Sequence, residues 1–546
     1  MKKLKLIMLL IALLFVFEGC DKDFAEINTD PFAMVDLDPG LLFAGRQRTY
    51  IGDWQSEPYL VQYFMLPYNL GQTLSFQFNA DIDAMQNGCW DQYTTAVRSF
   101  VRILYMIETM PQHEDRINLK SITRIWKAML FMNMVDHYGN VPYFNAGKAT
   151  DGQDYWFNAY DDQVAIYEDL YKEIKESLAD LNPSGDFVSA DLFYGTSGFY
   201  PTSSAATHVA QWKKLGNSLL LRLGMRYSKL NPTKAASIVA EAFNGGVMTN
   251  NRDNAFVVYD GTNYVNSYHS RLITSGSVPY YYYAAHPFVE YLKSVNDPRG
   301  KYMVNIFANP NAPLTDPNPN TVLSEQFGVP MGVQNNVLVD KDLTEALGYV
   351  FRGINPTSGL NYSQFNVNCG ASTLSPTYWL TYAQTSLLLA EAAHRGWIPG
   401  GDAQAKEYYE NAIIADMDRY DLFIDQTGSN LPPVTQAEKD AYLVHPLVAY
   451  NAANALELIN TQYWVANVWD PQEAWANFRR TGYPVLIPNP SKAYVDLTLD
   501  GNDGHVRRFT YPDAEVTRNY KNYTDAVAKL PRGVDALTSR IFWDPN

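Results

Sequence analysis

Eight histidines, three cysteines and 58 carboxylates are the side chains of this 546-residue chain that could hold a metal, attack a carbonyl or move a proton. A zinc site on a helix needs two imidazoles on one face, about three to five residues apart. No two of the histidines have that spacing. His113-Glu114 opens an HExxH pattern, but Ile117 stands where the second His belongs. No CxxC pair, GxxxxGK[ST] phosphate loop, GxGxxG turn or GxSxG elbow occurs. The two carboxylates of a glycosidase can lie far apart in sequence, and so many acids single out no pair. The sequence names no catalytic residue, no metal ligand and no cofactor, which fits a binding protein and leaves a carboxylate pair open.

The chemistry this chain has in excess is aromatic. Its 39 Tyr, 26 Phe and 11 Trp make up 14% of the residues. A dry core wastes the polar tip of a tyrosine, so many of these rings belong at surfaces and interfaces. Two stretches concentrate rings and amides: Trp54 to Asn79, with Tyr68, Asn69, Gln72, Phe76 and Phe78, and Tyr264 to Tyr283, with Asn266 and the run Tyr280-Tyr281-Tyr282-Tyr283. Four consecutive tyrosines cannot all face inward, whether the local period is about 2 or about 3.6, so at least one should expose its face. A net charge of −16 and a pI near 5.0 argue against a nucleic-acid partner, which would need a basic face. No Lys/Arg run follows residue 5, although a local basic patch stays open.

The first twenty residues stand apart from the fold. Lys2, Lys3 and Lys5 precede twelve apolar residues, Leu6 to Phe17, and then Gly19-Cys20. Twelve residues make only about 18 Å of helix, too short for a hydrocarbon core of roughly 30 Å, so residues 1–19 read as a secretory signal. The Cys just after it predicts a lipoprotein, cleaved before Cys20 and acylated there, although Phe17 and Glu18 depart from the usual residues before the cleavage site. Asp21-Lys22-Asp23 then resembles the export signal of Bacteroidetes surface lipoproteins. No later stretch reaches eighteen apolar residues. Cys89 and Cys369 remain. Their spacing leaves pairing open, and two unpaired structural cysteines are expected.

The elements that must position the aromatic stretches are helices. Residues 91–110 place Val97, Val101, Leu104 and Ile107 on one stripe, and 116–137, 161–181 and 205–229 repeat the pattern. A second group is expected at 376–396, 402–420, 452–468 and 470–481. Asp161-Asp162 and Asn182-Pro183 mark a start and a stop. Helix, Gly-rich turn and helix recur, with alanines where helices approach, which follows the logic of tetratricopeptide pairs. The expected fold is mostly α with little β structure: helix pairs in a curved scaffold over about 91–243 and 376–481. A 20–40 tether precedes a single 41–546 domain. About 245–375 is loop-rich and suited to a ligand, and 484–546 is irregular.

Five stretches also match a family. They are FAEINTDPFAM (Phe24–Met34), MVDHYGNVPYFNA (Met134–Ala146), QWKKLGNSLLLRLGMRYS (Gln211–Ser228), YAQTSLLLAEAAHRG (Tyr382–Gly396) and EAWANFRRTGYP (Glu473–Pro484), the last followed by Arg507-Arg508 and Tyr511-Pro512. In this order the chain resembles the SusD/RagB family of nutrient-binding outer-membrane lipoproteins. Gln384 sits where that family often has Glu. The motif residues Trp212, Asn217, Arg222, Arg226, Arg479 and Arg480 are expected to serve the scaffold, and Tyr138-Gly139 a helix end with Gly in the left-handed conformation. The resemblance implies a lipid-anchored protein on the outer membrane, facing the cell exterior. Such a protein captures oligosaccharides and passes them to a SusC-like TonB-dependent transporter. It also favours an early loop and the irregular middle as the ligand region. Peptide capture is the rival within the family, and a surface glycan hydrolase the rival outside it.

Overall fold

The computed structural model describes residues 37–48, 56–67, 86–266, 269, 282–307, 318–353, 360–489 and 496–545. Helix α1 (Pro39–Gln47) is capped by Asp38, whose carboxylate accepts from Gly40 N at 2.7 Å. It packs on α2 (Ala96–Thr109). The buried stripe of α2 is Ala96, Val97, Phe100, Ile103, Met106 and Ile107. That is one position round from the expected stripe: Phe100 and Ile103 are buried, and Val101 and Leu104 are only half-buried.

Four helix pairs follow. α3 (Ile117–Tyr138) packs with α4 (Gln163–Asp180), and α5 (Ala205–Arg226) with α6 (Pro232–Gly245). α7 (His286–Ser294) stands in the middle segment. α8 (Tyr382–His394) packs with α9 (Gly401–Asp418), and α10 (Ala455–Ala466) with α11 (Pro471–Thr481). Asp162 caps α4 through Val164 N and Ala165 N, as its acids predict. Gly139 ends α3 at φ +75°, but its ψ of −115° lies outside the left-handed helical region, a conformation open to glycine alone.

Two further expectations are corrected. Residues 377–380 are not helical: Thr-Tyr-Trp-Leu form β2 (Thr377–Leu380), antiparallel to β1 (Ala255–Val257). β-Branched and aromatic residues favour that ladder. The helix starts only at Tyr382 because Thr381 and Gln384 make a reciprocal capping box. The C-terminal segment is not wholly irregular: it holds α12 (Asp513–Arg518) and α13 (Tyr520–Val527).

Four of the five motifs meet in one buried ionic network. Arg226 binds Glu473 through two nitrogens at 3.1 and 2.6 Å and Asp136 at 3.2 Å. Arg480 forks onto Glu391 at 2.8 and 2.7 Å. Arg479 donates to the Asp136 and Arg507 carbonyls at 2.6 and 3.0 Å. Arg222 donates to Gln384 Oε1 at 2.9 Å, and Gln384 Nε2 reaches Asn467 and Asp470. Trp543 Nε1 closes the C-terminal segment onto Asp136 at 2.8 Å. Burial works against ionising Glu473, but Arg222 and Arg226 more than offset it and hold its carboxyl at about 2. The same balance, with Arg480 and Arg395, holds Glu391 at about 2. Cys89 and Cys369 are both buried and free.

Candidate functional site

Among the described residues, Tyr264 is the expected site residue presented to solvent, with 49% of its surface exposed. The turn that carries it is built by Asp260, whose Oδ1 accepts from the backbone N–H groups of Thr262, Asn263 and Tyr264 at 2.9, 2.8 and 2.8 Å. Those bonds, led by the one from Tyr264, hold the exposed Asp260 carboxyl well below the usual range. Gly261 takes φ +73°, and its N–H closes the turn onto Tyr264 O at 3.0 Å. Arg48 lies over the ring, its Cζ 3.9 Å from the centroid. One face of the ring is thus covered by a guanidinium, and the ring is offered as a platform with a hydrogen-bonding cation beside it.

Asn266 anchors that turn. It is buried, its N–H donates to Thr373 O at 2.8 Å, and its amide bonds Ser375 O at 3.0 Å. Tyr282 and Tyr283 are buried as well. Tyr282 packs against Tyr59 and Phe64, and Tyr283 pairs with Met65 across a short ladder while its hydroxyl accepts from Leu360 N at 3.2 Å. These three engage the chain itself: Asn266 through its hydrogen bonds, Tyr283 within the two-residue ladder, and Tyr282 against the rings beside it. Trp54, Tyr68, Asn69, Gln72, Phe76, Phe78, Asn79, Tyr280, Tyr281 and Cys20 lie outside the described residues.

The structure also exposes rings that the sequence did not single out. Trp156 and Phe157 stand more than half exposed. Trp156 Nε1 donates to Ala149 O at 3.0 Å, and Asn522 of α13 donates to Phe157 O at 3.0 Å. The sequence signal was only two adjacent aromatics in a polar loop. The carboxylates Asp136, Asp470 and Glu473 line a void of about 10 Å³, room for about one water and not for a sugar. Asp470 is pushed up to about 6 by burial there. Among the described residues, no helix is long and apolar enough to cross a membrane.

Comparison with known proteins decides the family. The SusD-like family, described as starch-binding and associating with the outer membrane, matches residues 44–512. The chain belongs to the SusD-like family. Among solved structures, a chitin-binding protein superposes with a TM-score of 0.72 at 26% identity, over 93% of this chain and 100% of its own. A Bacteroidetes AC2a SusD-like protein gives 0.73 at 23% identity, over 93% and 100%. A SusD homologue from Bacteroides fragilis gives 0.69 at 20% identity, over 93% and 100%. No curated protein sequence matches the chain. The mostly α architecture of helix pairs is that of the SusD-like fold. Four of the motif stretches contribute residues to the buried network, so in this chain those stretches serve the scaffold.

Proposed function

We propose that this protein is a non-catalytic, lipid-anchored surface protein of the outer membrane that captures oligosaccharides and delivers them to a SusC-like TonB-dependent transporter. The family match over residues 44–512 carries this reading. The chitin-binding relative at 26% identity supports a glycan as ligand. In this reading Tyr264 stacks on the C–H face of a sugar ring while Arg48 bonds its hydroxyls. The early stretch that includes Trp54, Tyr68, Asn69, Gln72, Phe76, Phe78 and Asn79, with Tyr280 and Tyr281, supplies further contacts. Asn266, Tyr282 and Tyr283 hold that surface from behind. A rigid aromatic loses little entropy on binding, so such a platform suits a ligand rich in hydroxyls.

Affinity electrophoresis through gels containing soluble starch or glycol chitin tests it. Retardation of the parent protein that Tyr264→Ala weakens is expected. Migration unchanged in every glycan, with retardation by immobilised peptides instead, would move the ligand class to peptide.

A further inference from the structure

A cleft of about 860 Å³ opens between α2, α3, α4 and residues 143–151, with Arg46 of α1 at its edge. That volume is within the roughly 300–1,000 Å³ of small-ligand sites. Seven basic and four acidic side chains line it, in a chain whose net charge is −16. Three of the acids are already paired. Lys120 meets Glu108 at 2.8 Å, and Arg124 binds both Glu173, at 2.9 Å, and Glu176. The fourth, Asp151, stands exposed at the lip. Among the described residues, Arg46, Arg98 and Arg102 pair with no carboxylate, and the buried Arg46 Nε has no hydrogen-bond partner.

The cations do not stand alone. Tyr105 and Phe144 line the same cleft, each more than 40% exposed. Arg102 sits one helical turn before Tyr105, with Cζ 5.1 Å from the ring centroid. The opposite wall is stiff: Asp161 accepts from the N–H groups of Tyr143 and Phe144 at 2.7 and 3.0 Å, and Tyr143 donates to Asp169 at 2.7 Å. Flat rings beside uncommitted guanidiniums match one kind of molecule, a sugar that carries acid groups. The ring faces take its C–H surfaces, and the arginine forks take its carboxylates or sulfates.

We propose that this cleft is a second glycan site, selective for carboxylated or sulfated oligosaccharides. The inference rests on the reading of the protein as a glycan binder, and names the charge of one ligand class. Arg98 and Arg102 carry the selectivity from the exposed face of α2, and Arg46 adds charge at the edge.

Titration calorimetry on the full chain in detergent tests it, with tetragalacturonate, a sulfated chondroitin tetrasaccharide, neutral chitotetraose and hexaglutamate as probes. One or both anionic sugars should bind, at least tenfold more weakly in 500 mM than in 50 mM NaCl; binding of tetragalacturonate shows that carboxylates suffice, and binding of the chondroitin, which carries both groups, without tetragalacturonate assigns the sulfate. Arg98→Gln combined with Arg102→Gln should weaken that binding at least tenfold and leave the melting temperature and chitotetraose binding as in the parent. Gln keeps helix propensity, and both positions are exposed, so folding is not at stake. Anionic sugars that fail to bind while chitotetraose binds would overturn this inference alone. Failure of every sugar would overturn the glycan reading beneath it. A double variant that binds like the parent, or hexaglutamate that binds as well as the sugars, would also overturn the second site.

Discussion

On the proposed reading, Tyr264 is the side chain on which affinity should depend most. Its ring is exposed, the turn that carries it is fixed by three backbone bonds to Asp260, one of them from Tyr264 itself, and Arg48 covers one face. Tyr264→Ala removes a stacking surface without opening a core, so it should cost about 1–3 kcal/mol of binding to a recognised glycan. The unfolding temperature should stay within error of the parent; calorimetry and a thermal melt measure both. The two cysteines make a second prediction at this scale. Burial pushes the Cys369 thiol up to about 12, and burial, then Glu57 and Asp136, push Cys89 well above its ordinary value. Neither is a thiolate at neutral pH, so a disulfide-exchange reagent should label neither in the native protein and both in guanidinium. Fast native labelling of either would contradict its burial. Tyr264 was legible in the sequence as a ring in a polar, Gly-containing turn. Tyr282 and Tyr283 could not be told from it, because their burial depends on a ladder with Phe64–Met65, some two hundred residues away in the chain.

Helices carry the network that the family motifs encode. Its carboxylates set an acid limit to stability. Glu391 and Glu473 titrate at about 2 in the folded protein against 4.5 ordinarily. A depressed carboxylate contributes stability that is complete above its unfolded value and is lost as pH falls through its folded value, roughly 3 kcal/mol for each. Asp470, raised to about 6 from 3.8, works the other way: its protonated form is favoured in the fold, so its contribution declines as pH rises from about 4 through 6. The melting temperature should therefore fall steeply between pH 4.5 and pH 2. Glu473→Gln leaves Arg226 and Arg222 buried against an uncharged amide. It should cost about 3–5 kcal/mol at pH 7 and flatten the acid limb, read from denaturant melts at pH 7 and pH 3. An unchanged acid limb would mean that the network is not what titrates. Periodicity made these helices legible, since most bury a stripe against a neighbour close in sequence. It failed where the partner is distant: β2 pairs with β1 more than a hundred residues earlier, and the α2 stripe was misplaced by one position. That shift hid the cleft, because it is Arg98, Arg102 and Tyr105, on the other side of α2, that face it.

At the scale of the whole molecule, the proposed function has this SusD-like body held at the outer membrane by an acylated Cys20 and handing its ligand to a transporter. Cys20→Ala should release the protein from the membrane fraction while glycan binding persists. Palmitate labelling with fractionation measures this, and a variant that stays labelled and membrane-bound would count against the anchor. Parent protein solubilised from cells grown on its nutrient should co-purify with a large β-barrel through an interface well above roughly 1,000 Å². The most direct test of glycan capture is equilibrium titration of the full chain with oligosaccharides from a glycan array, with released reducing ends assayed in the same cell. Capture predicts saturable binding to at least one glycan, weakened by Tyr264→Ala, with no new reducing ends. No binding across the array, or reducing ends that accumulate with enzyme concentration, would contradict it.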